Sequence, residues 1–305
     1  MALPSTSSPA APGAVLGPVD IGLGLLVVLA WSTSWIGVHL QLGSVPPEVS
    51  VTWRFLLAGL FMTGWCVIRR ERLRGYTAAE HLMFALLGLT LFSVNFVLFY
   101  HAGMQLVSGM LSVVFALAAP GNVLMQAVLL KRPVAPTVVL GSVVGVAGVA
   151  ALFAPEFIAS GIGHASGLLL ALAGTLVFCA GNFISAKLQG RGISVAPANA
   201  WGMIYGAALL GGSSLLRGLP FTVEWTSAYL GSLVYLALVA SVLAFMSYLS
   251  LMSRIGPARV GYLTVLLPVF ALAISSVVEG YQWSLWSLAG LAAVAAGNVL
   301  VLWRR

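Results

Sequence analysis

Charge is what this chain has least of. Only 7% of its 305 residues are Asp, Glu, Lys or Arg, against 60% hydrophobic ones, whereas a globular chain is about a quarter charged. With a mean hydropathy of +1.05, an ordinary soluble domain is excluded. Acids are the scarcest, seven in all, and no acid, histidine or lysine falls in the middle of an apolar stretch. Intramembrane catalysis relies on such groups, so the chain is not expected to be an enzyme. The four histidines (His39, His81, His101, His164) stand at or beyond the ends of apolar stretches, with no metal-ligand or triad partner at useful spacing. Two cysteines, Cys66 and Cys179, lie inside apolar stretches and make no case for a disulfide or a metal site. Neither a metal nor a cofactor is expected.

What is present is a series of long apolar runs. A bilayer core of roughly 30 Å needs about 20 apolar residues per helix. The runs are continuous rather than alternating, which excludes a transmembrane barrel. The fold class is therefore an all-α integral membrane protein of ten transmembrane helices. The spans fall at about 19–38, 47–68, 80–100, 107–130, 136–154, 166–187, 197–216, 226–251, 258–278 and 284–303. Residues 1–18, rich in Pro, Ala and Ser and lacking the basic region of a signal peptide, are expected to be a disordered tail that stays on the chain.

A net charge of +7 with a pI near 9.9 could suggest nucleic acid, but the basic residues lie at the ends of spans, where they set topology. With both termini inside, twelve of the fourteen Lys and Arg fall on the cytoplasmic side: Arg69, Arg70, Arg72, Arg74, Lys131, Arg132, Lys187, Arg191, Arg254, Arg259, Arg304 and Arg305. Arg217 lies outside and Arg54 within a span; Glu48, Glu156, Glu224 and Glu279 fall outside. The expected partners are the lipid bilayer and a small-molecule substrate, with no nucleic acid and a monomeric state.

The chain also repeats itself. Shifted by 148 positions without a gap, Ile36 meets Ile184, Trp53 meets Trp201, Ser93 meets Ser241, Tyr100 meets Tyr248 and Pro120 meets Pro268. Such weak self-similarity marks repeat-built transporters. The expected units are residues 19–155 and 166–305, joined by an outer, periplasmic linker at 156–165. Five spans per unit is odd, so the second enters the membrane inverted.

Candidate site residues follow from depth and spacing. Arg54 is the one charge deep in a span; it either receives a substrate carboxylate or bonds backbone within the bundle. Trp31, Ser34 and Trp35 share a helical face, as do Gly88, Phe92, Asn95 and Phe99 at the same periodicity. Ser93, Tyr100, Asn182, Tyr205, Ser241, Met246 and Tyr248 add polar or polarizable groups. Together they suit a mostly apolar cavity with a few placed polar groups; interhelical hydrogen bonding and interfacial belts are the competing use of such residues. Trp53, Trp65, Trp225, Trp283 and Trp303 are read as belt residues. Pro120 and Pro268, mid-helix, are candidate hinges that free the carbonyls of Ala116 and Thr264. Small residues every fourth position in span five (Gly141, Gly145, with Gly148) and span ten (Ala289, Ala293, Gly297) read as packing surfaces.

With these features the chain resembles the drug/metabolite transporter superfamily, in its ten-span EamA-type branch. Trp31-Ser32-Thr33-Ser34-Trp35 approximates the Trp-Gly-Ser-Asn-Phe pattern of its first helix, and Gly181-Asn182-Phe183 matches the second-repeat version. Arg54-Phe55, Pro120, Pro268 and Glu279 occupy further family positions. As a whole the chain is similar to YddG-type aromatic amino acid exporters of bacterial inner membranes. The resemblance implies a basket with helices 3, 4, 8 and 9 central, helices 1, 2, 6 and 7 rocking beside them, and helices 5 and 10 peripheral. It implies export of amino acids, aromatic or otherwise apolar, by alternating access. No in-path carboxylate is available for proton coupling, so facilitated movement is expected. The alternatives are another metabolite, such as a purine or nucleotide-sugar, or a membrane receptor or scaffold. Phosphate-bearing cargo would need several basic residues where only Arg54 is available.

Overall fold

The computed structural model describes residues 17–131, 133–160, 165–255 and 263–302. Among them there are helices and turns but no strand. Ten helical segments follow the apolar runs: α1 (Pro18–His39), α2 (Pro47–Ile68), α3 (Ala78–Gly103), α4 (Ser108–Leu129), α5 (Pro136–Ser160), α6 (Ala165–Gly190) and α7 (Val195–Leu216). Three consecutive pieces, Ser227–Val234, Tyr235–Leu243 and Ala244–Ile255, make α8; α9 is Leu263–Val278 and α10 is Leu285–Leu302. Eight of these are long and apolar enough to cross a bilayer; the others are α7 and α9, the latter with its apolar part at Val265–Val278. Trp303, Arg304, Arg305, Arg132, Arg259 and His164 lie outside the described residues.

Local chemistry sets the helix ends. Pro18, Pro47 and Pro136 open α1, α2 and α5, where the missing N–H would find no partner in any case. At α3, the Thr77 hydroxyl accepts from the Glu80 backbone N–H while the Glu80 carboxylate accepts from Thr77 N, 2.6 Å away. Gly280, at φ 70°, turns the chain after α9.

Packing has the same form after the two halves are exchanged. The α1 helix packs on α8 and α9, as α6 packs on α3 and α4, and α2–α7, α4–α9 and α5–α10 pair across the halves. In lipid there is no hydrophobic drive between helices, so close approach relies on small residues. The α5–α10 seam is antiparallel and joins backbone to backbone. A Cβ on Gly141 would lie 2.6 Å from the Gly297 carbonyl oxygen, and one on Gly148 2.7 Å from that of Gly290. The small-residue stripes are thus packing surfaces, with Gly290 a contributor that the four-residue spacing did not single out.

Two long helices contain π-helical turns, at Thr90–Val94 in α3 and Tyr235–Leu243 in α8. The 148-position offset maps the first onto residues within the second. Each holds a serine whose hydroxyl donates five residues back, Ser93 to the Gly88 carbonyl (3.0 Å) and Ser241 to that of Leu236 (2.8 Å). The prolines behave unequally. Helix α4 is interrupted after Phe115 and resumes at Ala118, just before Pro120, whereas α9 runs unbroken through Pro268. The Ala116 carbonyl accepts from Ala119 N (3.3 Å).

Candidate functional site

Between the two main buried clusters, one centred on α2, α3, α7 and α8 and the other on α4, α5, α9 and α10, lies a cavity. Trp31, Ser34, Trp35 and Val38 line it from α1, Arg54 from α2, and Asn95, Phe96 and Phe99 from α3. Phe115, Phe178, Ala240, Phe245 and Leu267 complete the wall. Its wall is mostly apolar with a few polar groups, the character of a pocket for a small organic molecule.

The wall is an aromatic network. Trp35 stands edge-on to Phe99 (5.1 Å) and Phe115 (5.5 Å), Phe115 to Phe178 (4.7 Å), and Trp31 to Phe245 (5.4 Å). The Trp31 indole N–H donates to the Ala240 carbonyl (3.1 Å), inside the π-helical turn of α8. That bond holds α1 against α8 and fixes the indole. The Ser34 hydroxyl donates to the Trp31 carbonyl (2.7 Å).

Arg54 is the charge of the site. It lies seven residues into α2, about 10 Å along the helix, and is 3% exposed. Its Nε and Nη2 donate to the Ser241 hydroxyl oxygen at 3.3 and 3.2 Å, and its guanidinium lies over the Phe96 ring, 4.3 Å from the centroid. Nη1 has no partner. The described ion pairs all sit at helix ends, and none involves Arg54.

A second cavity shares Trp31, Phe115, Phe178, Phe245 and Leu267 with the first. It continues toward the end of the bundle where Lys131, Lys187, Arg191 and Arg254 lie. Asn122, Asn182, Tyr248 and Leu302 line it there, and Asn182 Nδ2 donates to Asn122 Oδ1 (3.1 Å). The opposite end is tied by bonds, some between the halves and some within one of them. Tyr100 donates to Gln41 Oε1 (2.6 Å), His39 meets Glu279 at 3.3 Å, and Glu279 accepts from Ser108 and Ser275. Arg217 and His101 meet Glu48 at 3.1 and 3.6 Å. Among the described residues, the basic end is tied by Arg254 to Asp20, Ser194 to Glu71 and the Trp201 indole N–H to the Leu73 carbonyl.

Trp31, Ser34, Trp35, Arg54 and Asn95 thus meet in the central cavity, and Asn182 and Tyr248 in the second. Ser241 is behind Arg54 as its acceptor. Phe92 and Ser93 are turned away from the space: Phe92 packs on Phe55 (5.4 Å), and Ser93 also bonds the Gly206 carbonyl (3.0 Å). The reason is the π-helical turn, whose added residue rotates Asn95 and Phe99 off the face shared by Gly88 and Phe92. Tyr205 bonds His81 Nδ1 (3.0 Å) in an aromatic cluster with Trp201, apart from the cavity. Met246 packs at the edge of the α2–α8 cluster, and Tyr100 is part of the closed end. Phe96, Phe115, Phe178 and Phe245 are wall residues that spacing did not select. Nor did it reveal the His–Glu pairs, whose members lie 53 or more positions apart. Both cysteines are free and buried, and no metal-binding cluster exists among the described residues.

Comparison with known proteins places this geometry. The EamA-like transporter family matches residues 20–154 and again 165–303. A probable amino-acid metabolite efflux pump of Salmonella typhimurium is 27% identical, covering 90% of this chain and 92% of that protein. Protein PagO of the same organism is 21% identical, over 92% and 91%, and the transporter YoaV of Bacillus subtilis 24%, over 83% and 87%. One solved crystal structure superposes with a TM-score of 0.65 at 19% identity, covering 92% of this chain and 96% of the other. That likeness shows the fold.

Proposed function

This chain belongs to the EamA-like transporter family, and we propose that it exports amino acids with aromatic or other apolar side chains by alternating access. The carrying observation is an aromatic-walled cavity lined by one buried arginine that pairs with no acid among the described residues. An apolar side chain suits the wall, and a carboxylate suits the arginine. Similarity to an amino-acid metabolite efflux pump over nearly the whole chain supports the same class. A nucleotide-sugar fits poorly, since among the described residues Arg54 is the only basic one lining either cavity.

The basic end faces the cytoplasm of a bacterial inner membrane in this reading, as loop charge directs. The second cavity is then the inward approach, and the tied end is the closed outer mouth. Two five-helix units, inverted with respect to one another, rock to exchange these states, with Pro120 and Pro268 as hinges. No carboxylate lines either cavity among the described residues, so substrate moves down its own gradient as through a uniporter. The transporter works as a monomer.

Counterflow of labelled amino acids in proteoliposomes tests the reading. Phenylalanine, tryptophan or leucine should exchange, and Trp31→Ala should lower the rate at least tenfold by removing the wall and its bond to α8. Efflux indifferent to both Trp31→Ala and Tyr100→Ala would count heavily against the site. Uphill accumulation driven by a pH gradient alone would sink the uniport.

A further inference from the structure

At the outer end the Tyr100 hydroxyl donates to Gln41 Oε1 at 2.6 Å, between residues that are 0% and 2% exposed. The 148-position shift that relates the halves carries Gln41 onto Gln189 and Tyr100 onto Tyr248. This second pair lies at the basic end, and its bond is not made. Tyr248 lines the second cavity with its ring 5.2 Å from that of Trp31, and its hydroxyl bonds no described residue. Gln189 is exposed in the last turn of α6, where its Nε2 donates to Ser185 of the same helix at 3.4 Å. One tyrosine–glutamine pair is joined and buried; its counterpart is apart, at the end toward which the cavity continues.

We propose that Tyr248 and Gln189 form the inner gate: as the cytoplasmic mouth closes they make the bond that Tyr100 and Gln41 make now, and the outer bond breaks. The proposal rests on the alternating-access reading above and names the contacts that are exchanged.

Symmetry gives the first reason. When two inverted repeats pass from one facing state to the other, each half takes the shape that its partner has now. The second half then places Tyr248 against Gln189 as the first half places Tyr100 against Gln41. Burial gives the second reason. A buried hydroxyl without a partner costs free energy, so a mouth that closes over Tyr248 needs an acceptor there, whereas water serves while the mouth is open. Gln189 has one to give, since its bond to Ser185 uses the amide nitrogen and leaves Oε1 free. Both groups are neutral, so making and breaking the bond carries no charge into the apolar core. Its net worth is that of one ordinary hydrogen bond, small enough to be broken in every cycle.

The test is half-saturation for phenylalanine at the outer face of right-side-out membrane vesicles, which varies inversely with the share of protein facing outward. Tyr248→Phe and Gln189→Met each remove a bond made only in the outward-facing state. Each should raise half-saturation on the order of fivefold, the equilibrium effect of one net hydrogen bond. The two together should raise it no further than either alone, because both delete the same bond. Tyr100→Phe and Gln41→Met remove a bond of the inward-facing state and should lower it by a similar factor. Tyr100→Phe combined with Tyr248→Phe should return it close to the wild-type value. Two of these variants serve as controls. Gln189 lines neither cavity, which separates the gate from contact of Tyr248 with substrate. Gln41→Met keeps the Tyr100 hydroxyl, which also stands beside the Arg54 guanidinium. Should Tyr248→Phe fail to fold, Gln189→Met on the exposed end of α6 decides.

Outer half-saturation unchanged in Gln189→Met, shifted in the same direction by the inner and outer variants, or shifted additively by Tyr248→Phe and Gln189→Met, would overturn the gate while leaving amino acid export standing. Failure of the wild-type protein to move phenylalanine, tryptophan or leucine at all would remove the export reading itself, and the gate with it.

Discussion

At two junctions, positions 148 apart carry out different tasks. Where α3 meets α7, Gly88 lies against Gly202 and Gly206, and a Cβ on Gly88 would sit 2.5 Å from the Gly202 carbonyl oxygen. Where α8 meets α2, the same three offsets hold Leu236, Arg54 and Ala58. Both junctions keep a π-helical turn with a serine bonded five residues back. At one, that serine spends its hydroxyl on the neighbouring backbone of Gly206, and the helices seal. At the other, the serine faces a guanidinium, and the helices part enough for Arg54 to reach the cavity. One frame has thus produced a sealed wall on one side and part of the cavity lining on the other. The lesson is that the candidate site lies where the likeness between the halves fails.

The comparison breaks most visibly if the sealed junction is given the other's residue. Gly88→Leu copies Leu236 into a place where backbone already touches backbone. It should destabilise the protein by about 3 kcal/mol or more, seen as lost monodisperse protein in detergent and a lower Tm. A stable, active Gly88→Leu would dissolve the contrast. Arg54→Leu probes the other side. Efflux should fall on the order of 100-fold, about 2.7 kcal/mol of barrier, while Tm rises by a few degrees because an unpaired buried charge is gone. A fall in Tm would instead make Arg54 a prop between helices. The serines give the smallest difference. Ser241→Ala, which takes the acceptor from Arg54, should reduce efflux roughly tenfold; Ser93→Ala should cost about 1 kcal/mol of stability and leave efflux within about twofold. Equal effects on transport would mean that the two turns serve one purpose.

Much of the architecture could be read from the chain, because helix length in a bilayer is set by thickness and the connections here are short. The runs at 47–68 and 136–154 begin where Pro47 and Pro136 begin α2 and α5. The site was legible only where periodicity held. Trp31, Ser34 and Trp35 lie on an uninterrupted helix and share the cavity as their spacing implies. Phe92 and Ser93 precede the end of a π-helical turn, whose extra residue breaks the period that grouped them with Asn95. Phe178 and Phe245 look like any apolar residue in any span; only the packing of α6 and α8 aims them inward. Glu48 and Glu279 read as loop-side acids, since their partners Arg217 and His39 are brought to them by the fold.

The seam between α5 and α10 has a mechanical consequence. Gly141 against Gly297 and Gly148 against Gly290 are contacts of main chain with main chain, and main chain has no rotamers to change. In the proposed rocking cycle such a seam is suited to serve as the axle. It lies at one edge of the bundle, while the α2–α7 pair, in contact through Ile204 and Thr52 side chains, lies at the other. With helices about 10 Å apart, a point two helices from that axle would travel roughly 3.5 Å for each ten degrees of turn. In the proposed cycle a small rotation at this seam would become a larger displacement toward the far edge, with the cavity between them.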